Sequence, residues 1–467
     1  MKIKPGTFLL LALIAFGSAC GTKTKLAGRY RGKNLIVIVI DTLRADRLGC
    51  YGYPRPTSPR LDEFSSRGLL FTNTSIPMGI TLPSHTSILT GLYPQSTGIL
   101  RNWGHLGEDK TTLAEVLREN GYRTGAVVST AVLQKATNLR QGFEVYRENF
   151  ESSKWDPDSP GDDWRRKRKG VAADAFRMAG DFVEGNASEP FFLFVNLFDV
   201  HLPYIDHEEF KDYFAGQTMP EAPAEMYSPA AWKKIIADPK KREWIDSYDE
   251  ALAYTDAEIG KFLGRLRELG MEDDTLIVIT SDHGEELFAH QDYAGHGMYL
   301  YDGVTRVPLL IRLPDLALQG RFDFSLASVD LFPSLLDLLG ITAPDNLDGE
   351  SFIPLLGGDG EERGHTFAFR ILENVDREPL SPQYMVRTRD RKLIFSPDTG
   401  TEFYFLDQDP LESDNRYPRL STRERDRARA MKSRGEAWYQ DVRSEDHPRE
   451  EPDPKTIRDL RALGYLR

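Results

Sequence analysis

The apolar residues of this chain come in unbroken, β-branched runs over its first three quarters, with little strict alternation. Asn34–Ile40, Phe191–Leu197, Thr275–Thr280 and the stretch Val307-Pro308-Leu309-Leu310-Ile311 are of this kind. Runs of this length predict strands buried on both faces, as in a parallel sheet covered by helices. Between them lie segments of helical period, such as 113–120 and 249–268, whose apolar faces are expected to join the core. Strands and helices alternate from about residue 33 to 355, which predicts an α/β fold with a doubly wound, mostly parallel sheet. From about 356 the pattern changes. Residues 391–395 and 402–406 read as strands paired around a Pro-Asp-Thr-Gly turn, and 422–438 as a charge-rich helix. A smaller C-terminal α+β subdomain over 356–467, packed at the pocket rim, is therefore expected. The chain is long enough to bury a core in each part.

The polar residues that interrupt the runs carry the chemistry. The first run stops at Asp41-Thr42 and the third leads to Asp282-His283. In open α/β sheets ligands sit beyond the carboxyl ends of the strands. One acid there is ordinarily a helix cap. Two such strand ends, one with an Asp-His pair, favour a divalent cation instead. Elsewhere, Thr81-Leu82-Pro83-Ser84-His85 opens a stretch whose Pro83 predicts a helix running to Thr90, with Gly91 as its stop and Pro94 beyond. The positive end of that helix and its open N–H groups would face whatever is bound to Thr81, which suits a tetrahedral oxyanion.

These stretches resemble the sulfatase family of the alkaline-phosphatase superfamily. The matching residues are Ile40-Asp41-Thr42-Leu43-Arg44-Ala45-Asp46, Leu48-Gly49-Cys50-Tyr51-Gly52-Tyr53-Pro54, Pro83-Ser84-His85 through Gly91-Leu92-Tyr93-Pro94, and His201-Leu202-Pro203-Tyr204. They continue with Ser281-Asp282-His283-Gly284-Glu285, Gly295-His296-Gly297, Arg306-Val307-Pro308-Leu309, Phe403-Tyr404-Phe405-Leu406-Asp407 with Asp409-Pro410 and Glu412, and Leu463-Gly464-Tyr465. The resemblance implies metal ligands at Asp41, Thr81, Asp282 and His283, holding one Mn, Zn, Mg or Ca ion. That ion would acidify the Thr81 hydroxyl and neutralise charge on the oxyanion. It also implies that His201 contacts the bridging or leaving oxygen and that His296 stands where many relatives place a Lys holding the ester. Either could protonate the departing alkoxide. His85 replaces a family Arg and is expected to bind substrate. Arg306 is expected to be a structural ion-pair residue, and His290 and His105 are given no role.

The nucleophile departs from the family. Sulfatases carry a Cys or Ser that is oxidised to formylglycine, whose hydrate attacks sulfur. Thr81 is a secondary alcohol whose oxidation would give a poorly hydrated ketone, so no formylglycine is expected. An unmodified Thr resembles instead the nucleophile of lipoteichoic acid synthases and phosphoethanolamine transferases, and a phospho-Thr can be resolved by water or a second alcohol. Three readings follow: a metal-dependent hydrolase of sulfate or phosphate esters, a phosphoryl head-group transferase, and a non-catalytic oxyanion-binding module. The hydrolase is preferred, because an intact Asp41, Asp282, His283, His201 and His296 set has no chemical purpose in a binding module.

Composition adds location and partners. Lys2 and Lys4 precede a short apolar stretch from Phe8 to Phe16, and Gly17-Ser18-Ala19-Cys20 resembles a lipoprotein cleavage box. Residues 1–20 are thus read as a signal peptide and 21–32 as a linker. The protein is expected to be exported to the periplasm or cell envelope, held to the membrane only through a lipid on Cys20. Cys50 would then be a lone small thiol. A net charge of -13 opposes nucleic-acid binding. Arg165-Arg166-Lys167-Arg168-Lys169 is a local exception, read as a solvated loop. The expected partner is a sulfated or phosphorylated small molecule, glycan or lipid, selected by apparent insertions at 151–170 and 205–245.

Overall fold

The computed structural model describes residues 25–150, 170–214, 229–290, 292–371 and 381–442. The signal peptide and Cys20, the basic run at 165–169 with the rest of 151–169, residues 215–228 of the second expected insertion, and Leu463-Gly464-Tyr465 lie outside the described residues. Among the described residues no helix is long and apolar enough to cross a membrane.

The unbroken apolar runs are strands at the centre of the main sheet: β1 (Asn34–Ile40), β5 (Phe191–Leu197) and β6 (Thr275–Thr280). The sheet is completed by β2 (Leu69–Ser75), β3 (Arg123–Val128), β4 (Val145–Glu148), β7 (Arg306–Arg312), β8 (Gly320–Phe322) and β9 (Leu326–Ala327). Strand order is β4-β3-β5-β1-β6-β7-β2-β8, with β9 paired to β2. Contacts from β4 through β6 are parallel, whereas β7 runs antiparallel to both β6 and β2. The sheet is the mostly parallel one that the runs predict. Alternate residues of one strand serve two cores, which is why the runs do not alternate. Leu35, Val37 and Val39 face one cluster, Ile36, Ile38 and Ile40 the other.

Helices cover both faces. Thr81–Thr90, Leu113–Glu119 and Leu331–Leu339 pack on the first, and Pro59–Ser66, Ala172–Gly185 and Pro239–Glu268 on the second. The helix expected at 249–268 begins ten residues earlier, because Asp238 caps it and Pro239 occupies its first position.

The second sheet is antiparallel: β10 (Thr366–Arg370), β11 (Gln383–Arg387), β12 (Arg391–Ser396) and β13 (Gly400–Phe405), in that order. Ser396 pairs with Gly400 around the expected turn, and the helix Thr422–Val442 packs on β11 and β12. Tyr93, Met78 and Val329 from the main part share a core with Phe369, Phe395 and Trp438.

Candidate functional site

The site lies beyond the carboxyl ends of β1, β5 and β6. Asp41 follows β1 directly, and its N–H donates to the Leu197 carbonyl at the end of β5. Thr42 then turns the chain with φ 60. A β-branched residue in the left-handed region is strained, so its surroundings must hold it there. They do: the Thr42 hydroxyl donates toward the Asp41 and Val200 carbonyls at 2.7 and 2.9 Å, and its N–H reaches Asp282 Oδ1 at 3.2 Å. One residue thereby ties three strand ends together.

Asp41, Asp282 and His283 are fully buried, and each offers a ligand atom within 4.8 Å of the others. His283 Nδ1 lies 3.1 Å from the Gly284 carbonyl, which can only accept, so Nδ1 carries the proton and Nε2 the lone pair. Burial pushes the His283 imidazole down to about 3, which keeps it neutral. Burial also works to raise the Asp282 carboxyl, but His283 and His85 beside it hold it below the ordinary carboxylate range. His283 Nε2 thus faces two carboxylates, 3.4 Å from Asp282 Oδ2 and 3.9 Å from Asp41 Oδ1. Two carboxylates and a neutral imidazole lone pair turned on one point repel one another unless a cation sits between them. The donor set fits a divalent ion.

Thr81 lies on the same point, its Oγ1 3.4 Å from His283 Nε2. The helix that carries it spans Thr81–Thr90 and is buried throughout. It starts two residues before Pro83, because the Ser84 N–H closes a turn onto the Ile80 carbonyl at 3.2 Å. This corrects the expected row of open N–H groups. Leu82 N–H donates to Asn102 Oδ1 at 2.8 Å, Pro83 has none, and Ser84 N–H is spent on Ile80. The helix can still favour an anion through its dipole. Hydrogen bonds to an oxyanion must come largely from side chains.

Two further imidazoles lie beside His283. The His296 ring is 4.3 Å from that of His283, and the His201 ring 5.0 Å from that of His296. His201 stacks on Phe198 and its Nδ1 donates to the Leu202 carbonyl. His296 Nδ1 lies 3.5 Å from Glu285 Oε1, while Glu285 Oε2 accepts from the Tyr204 hydroxyl at 2.7 Å. His85 sits behind Thr81. Its Nδ1 is 2.9 Å from the Thr81 carbonyl and its Nε2 3.2 Å from Asn196 Nδ2. All seven residues singled out from the sequence therefore lie close together, with His85, expected to bind substrate, fully buried behind Thr81.

Other residues meet the sequence-derived set only in three dimensions. Asn102 is 5 % exposed, and with Oδ1 fixed by the Leu82 N–H its Nδ2 has no hydrogen-bond partner among the described residues. That is an uncommitted buried donor beside Thr81. No period or motif marks it, since it sits in the irregular stretch Arg101-Asn102-Trp103. His290, given no role from sequence, lies 2.8 Å from Glu286 Oε2 and 2.9 Å from the Leu411 carbonyl. Burial opposes its protonation but Glu286 outweighs that, so its pKa is raised. It clasps the hairpin that carries His296 to the C-terminal part. His105 is exposed and bonds the Ala136 carbonyl, and Arg306 donates to the Thr72 carbonyl at 2.9 Å.

Comparison with known proteins matches residues 33–341 to the family model "Sulfatase" and residues 295–434 to "N-sulphoglucosamine sulphohydrolase, C-terminal". An ulvan-active sulfatase of Formosa agariphila is 26% identical over 402 residues, covering 82% of this chain and 76% of its own. A solved structure in complex with its substrate D-glucosamine-2-N,6-O-disulfate superposes with a TM-score of 0.71 at 21% identity, covering 90% of this chain and 100% of its own. The phosphonate monoester hydrolase of Agrobacterium radiobacter superposes with a TM-score of 0.67 at 19% identity, covering 88% and 95%. At these identities the two structures speak for the fold.

Proposed function

Because this chain belongs to the sulfatase family, a family of ester hydrolases, we propose that it is a metal-dependent hydrolase of a sulfate or phosphate ester, with unmodified Thr81 as the nucleophile. The observation that carries the reading is the Thr81 hydroxyl at 3.4 Å from His283 Nε2, on the first turn of a buried helix and beside two buried carboxylates. Asp41, Asp282, His283 and Thr81 Oγ1 would hold one divalent ion, of Mn, Zn, Mg or Ca. Such an ion supplies Lewis acidity, favouring the Thr81 alkoxide and offsetting charge on the transferring group.

The residues of the chain account for the remaining steps. Thr81 Oγ forms a bond to the central sulfur or phosphorus atom as the bond to the alcohol oxygen breaks. Asn102 Nδ2 donates to a non-bridging oxygen, where charge develops. His296 or His201 gives a proton to the leaving alkoxide, and the same imidazole then takes one from the water that releases the group from Thr81. An unmodified threonine favours phosphorus at this last step, since a phosphothreonine hydrolyses by attack at phosphorus. The relatives' names favour a sulfated saccharide as the carrier of the ester. Relatives named as a sulfatase and a phosphonate monoester hydrolase favour the hydrolase over the transferase and binding-module readings.

The deciding assay is turnover of matched nitrophenyl sulfate, phosphate monoester and phosphate diester with added divalent metal. We expect Thr81→Ala to lose about three orders of magnitude or more on the preferred ester, as removal of a covalent nucleophile does. Turnover that survives Thr81→Ala would sink the threonine nucleophile and point to a metal-activated water.

A further inference from the structure

His85 is tied into the protein at both ring nitrogens. Its Nδ1 lies 2.9 Å from the Thr81 carbonyl and 3.3 Å from Asp282 Oδ2, and its Nε2 lies 3.2 Å from Asn196 Nδ2. The carbonyl and the carboxylate can only accept, so Nδ1 bears the proton; it donates to the Thr81 carbonyl, with the Asp282 carboxylate beside it in electrostatic contact. The Asn196 amide is oriented by its Oδ1, which accepts the Ser129 N–H at 3.1 Å. Its NH₂ therefore points at His85 Nε2, which accepts. Both assignments agree on one neutral tautomer. His85, Asn196, Asp282 and Ser129 are all fully buried, and the His85 ring packs edge-on to Phe194.

From this we infer that His85 is a positioning residue: held by Asn196, it fixes the Asp282 carboxylate and the Thr81 turn for the metal, and it does not touch the substrate. The chain Ser129–Asn196–His85–Asp282 runs from the end of β3 through β5 and the Thr81–Thr90 helix to the residue beyond β6. It crosses the sheet beneath the site. Asp282 Oδ1 is fixed separately, by the N–H groups of Thr42 and His283 at 3.2 and 2.8 Å. The second oxygen accepts no hydrogen bond among the described residues and lies 3.3 Å from His85 Nδ1, so the polarity of that ring edge biases the angle at which the carboxylate would meet an ion. Groups that orient metal ligands in this way are worth about 10- to 100-fold in metal affinity.

The inference rests on the metal-dependent reading proposed above, and one titration separates the two. Mn²⁺ binding to the full chain is measured by calorimetry for wild type, His85→Ala, Asn196→Ala and His85→Asn, with a thermal melt of each. We expect His85→Ala and Asn196→Ala each to weaken Mn²⁺ about 10- to 100-fold. His85→Asn, whose amide keeps a donor near the Nδ1 position, should recover most of the loss. Asn196→Ala leaves the imidazole in place, so it carries the test should His85→Ala fail to fold. Wild-type affinity in Asn196→Ala and in folded His85→Ala, together with lost inhibition by inorganic phosphate, would overturn the positioning role and make His85 a substrate contact. A wild type that binds no divalent ion would overturn the metal reading itself, and the inference with it.

Discussion

Thr81 is a poor nucleophile in isolation, and what distinguishes it here is its neighbours. The neutral His283 lone pair and the two carboxylates lie beside its hydroxyl, and Asn102, with an uncommitted buried donor, is hydrogen-bonded to the next residue along the helix. Asn102 offers the sharpest residue-scale test. If Asn102 donates to developing charge as proposed, Asn102→Ala should lower kcat/KM by about 100- to 1,000-fold. The accompanying loss of a helix-start hydrogen bond should cost only about 1 kcal/mol. Steady-state kinetics beside a urea melt separates these effects, and unchanged kinetics would remove Asn102 from the reaction. At this scale the sequence reading was strongest where a residue type announces its chemistry, as Asp41 and the Asp282-His283 pair do. It was weakest for Asn102 and Asn196, which lie in unrelated segments and acquire a role only through their partners. His85 shows the intermediate case: its motif placed it near Thr81, but only the helix geometry turned its ring onto the Thr81 carbonyl.

At the scale of the element, the Thr81–Thr90 helix is short, buried throughout and ended by Gly91 at φ 68. Short helices draw their stability from packing and caps rather than propensity. Gly91 is in the left-handed region, and a Cβ there would lie 3.1 Å from Phe332 Cβ. Gly91→Ala should therefore destabilise by about 1–2 kcal/mol from the backbone alone. The urea midpoint should fall while the slope stays the same. A midpoint equal to that of wild type would mean that the helix end tolerates another conformation. The stop at Gly91 was legible because glycine is the residue that adopts this conformation cheaply. The true start was not, since a hydrogen bond from Ser84 to Ile80 carries the helix back over Thr81, and backbone pairing leaves no mark in the sequence.

Across the whole molecule, the C-terminal sheet is joined to the main one by buried charge as well as by the shared apolar core. Lys392 is fully buried, with Nζ 2.9 Å from Asp302 Oδ1 and 2.8 Å from Glu412 Oε1. Lys392→Met leaves these carboxylates without one cation and should cost about 3–5 kcal/mol near neutral pH. Burial pushes Glu412 up to about 7 from its ordinary 4.5. A raised carboxyl pKa gives stability that is full below the unfolded value and lost as pH rises through the folded one. The penalty of Lys392→Met should then be larger at pH 8 than at pH 5. Equal penalties by urea unfolding at the two pH values would show that Glu412 does not titrate across this range.

By itself the sequence determined the layered α/β class, the parallel centre, the antiparallel C-terminal hairpin and the residue types that meet at the strand ends. These follow from local rules: a strand buried on both faces must be apolar throughout, and a strand that ends at a site must end in polar residues. Only the tertiary structure decided which of those residues share a metal-sized point, which helix amides are spent, and which side of Thr81 the His85 ring occupies. Such facts depend on distances between segments 202 residues apart at Thr81 and His283 and 240 apart at Thr42 and Asp282. Chain order carries no measure of them.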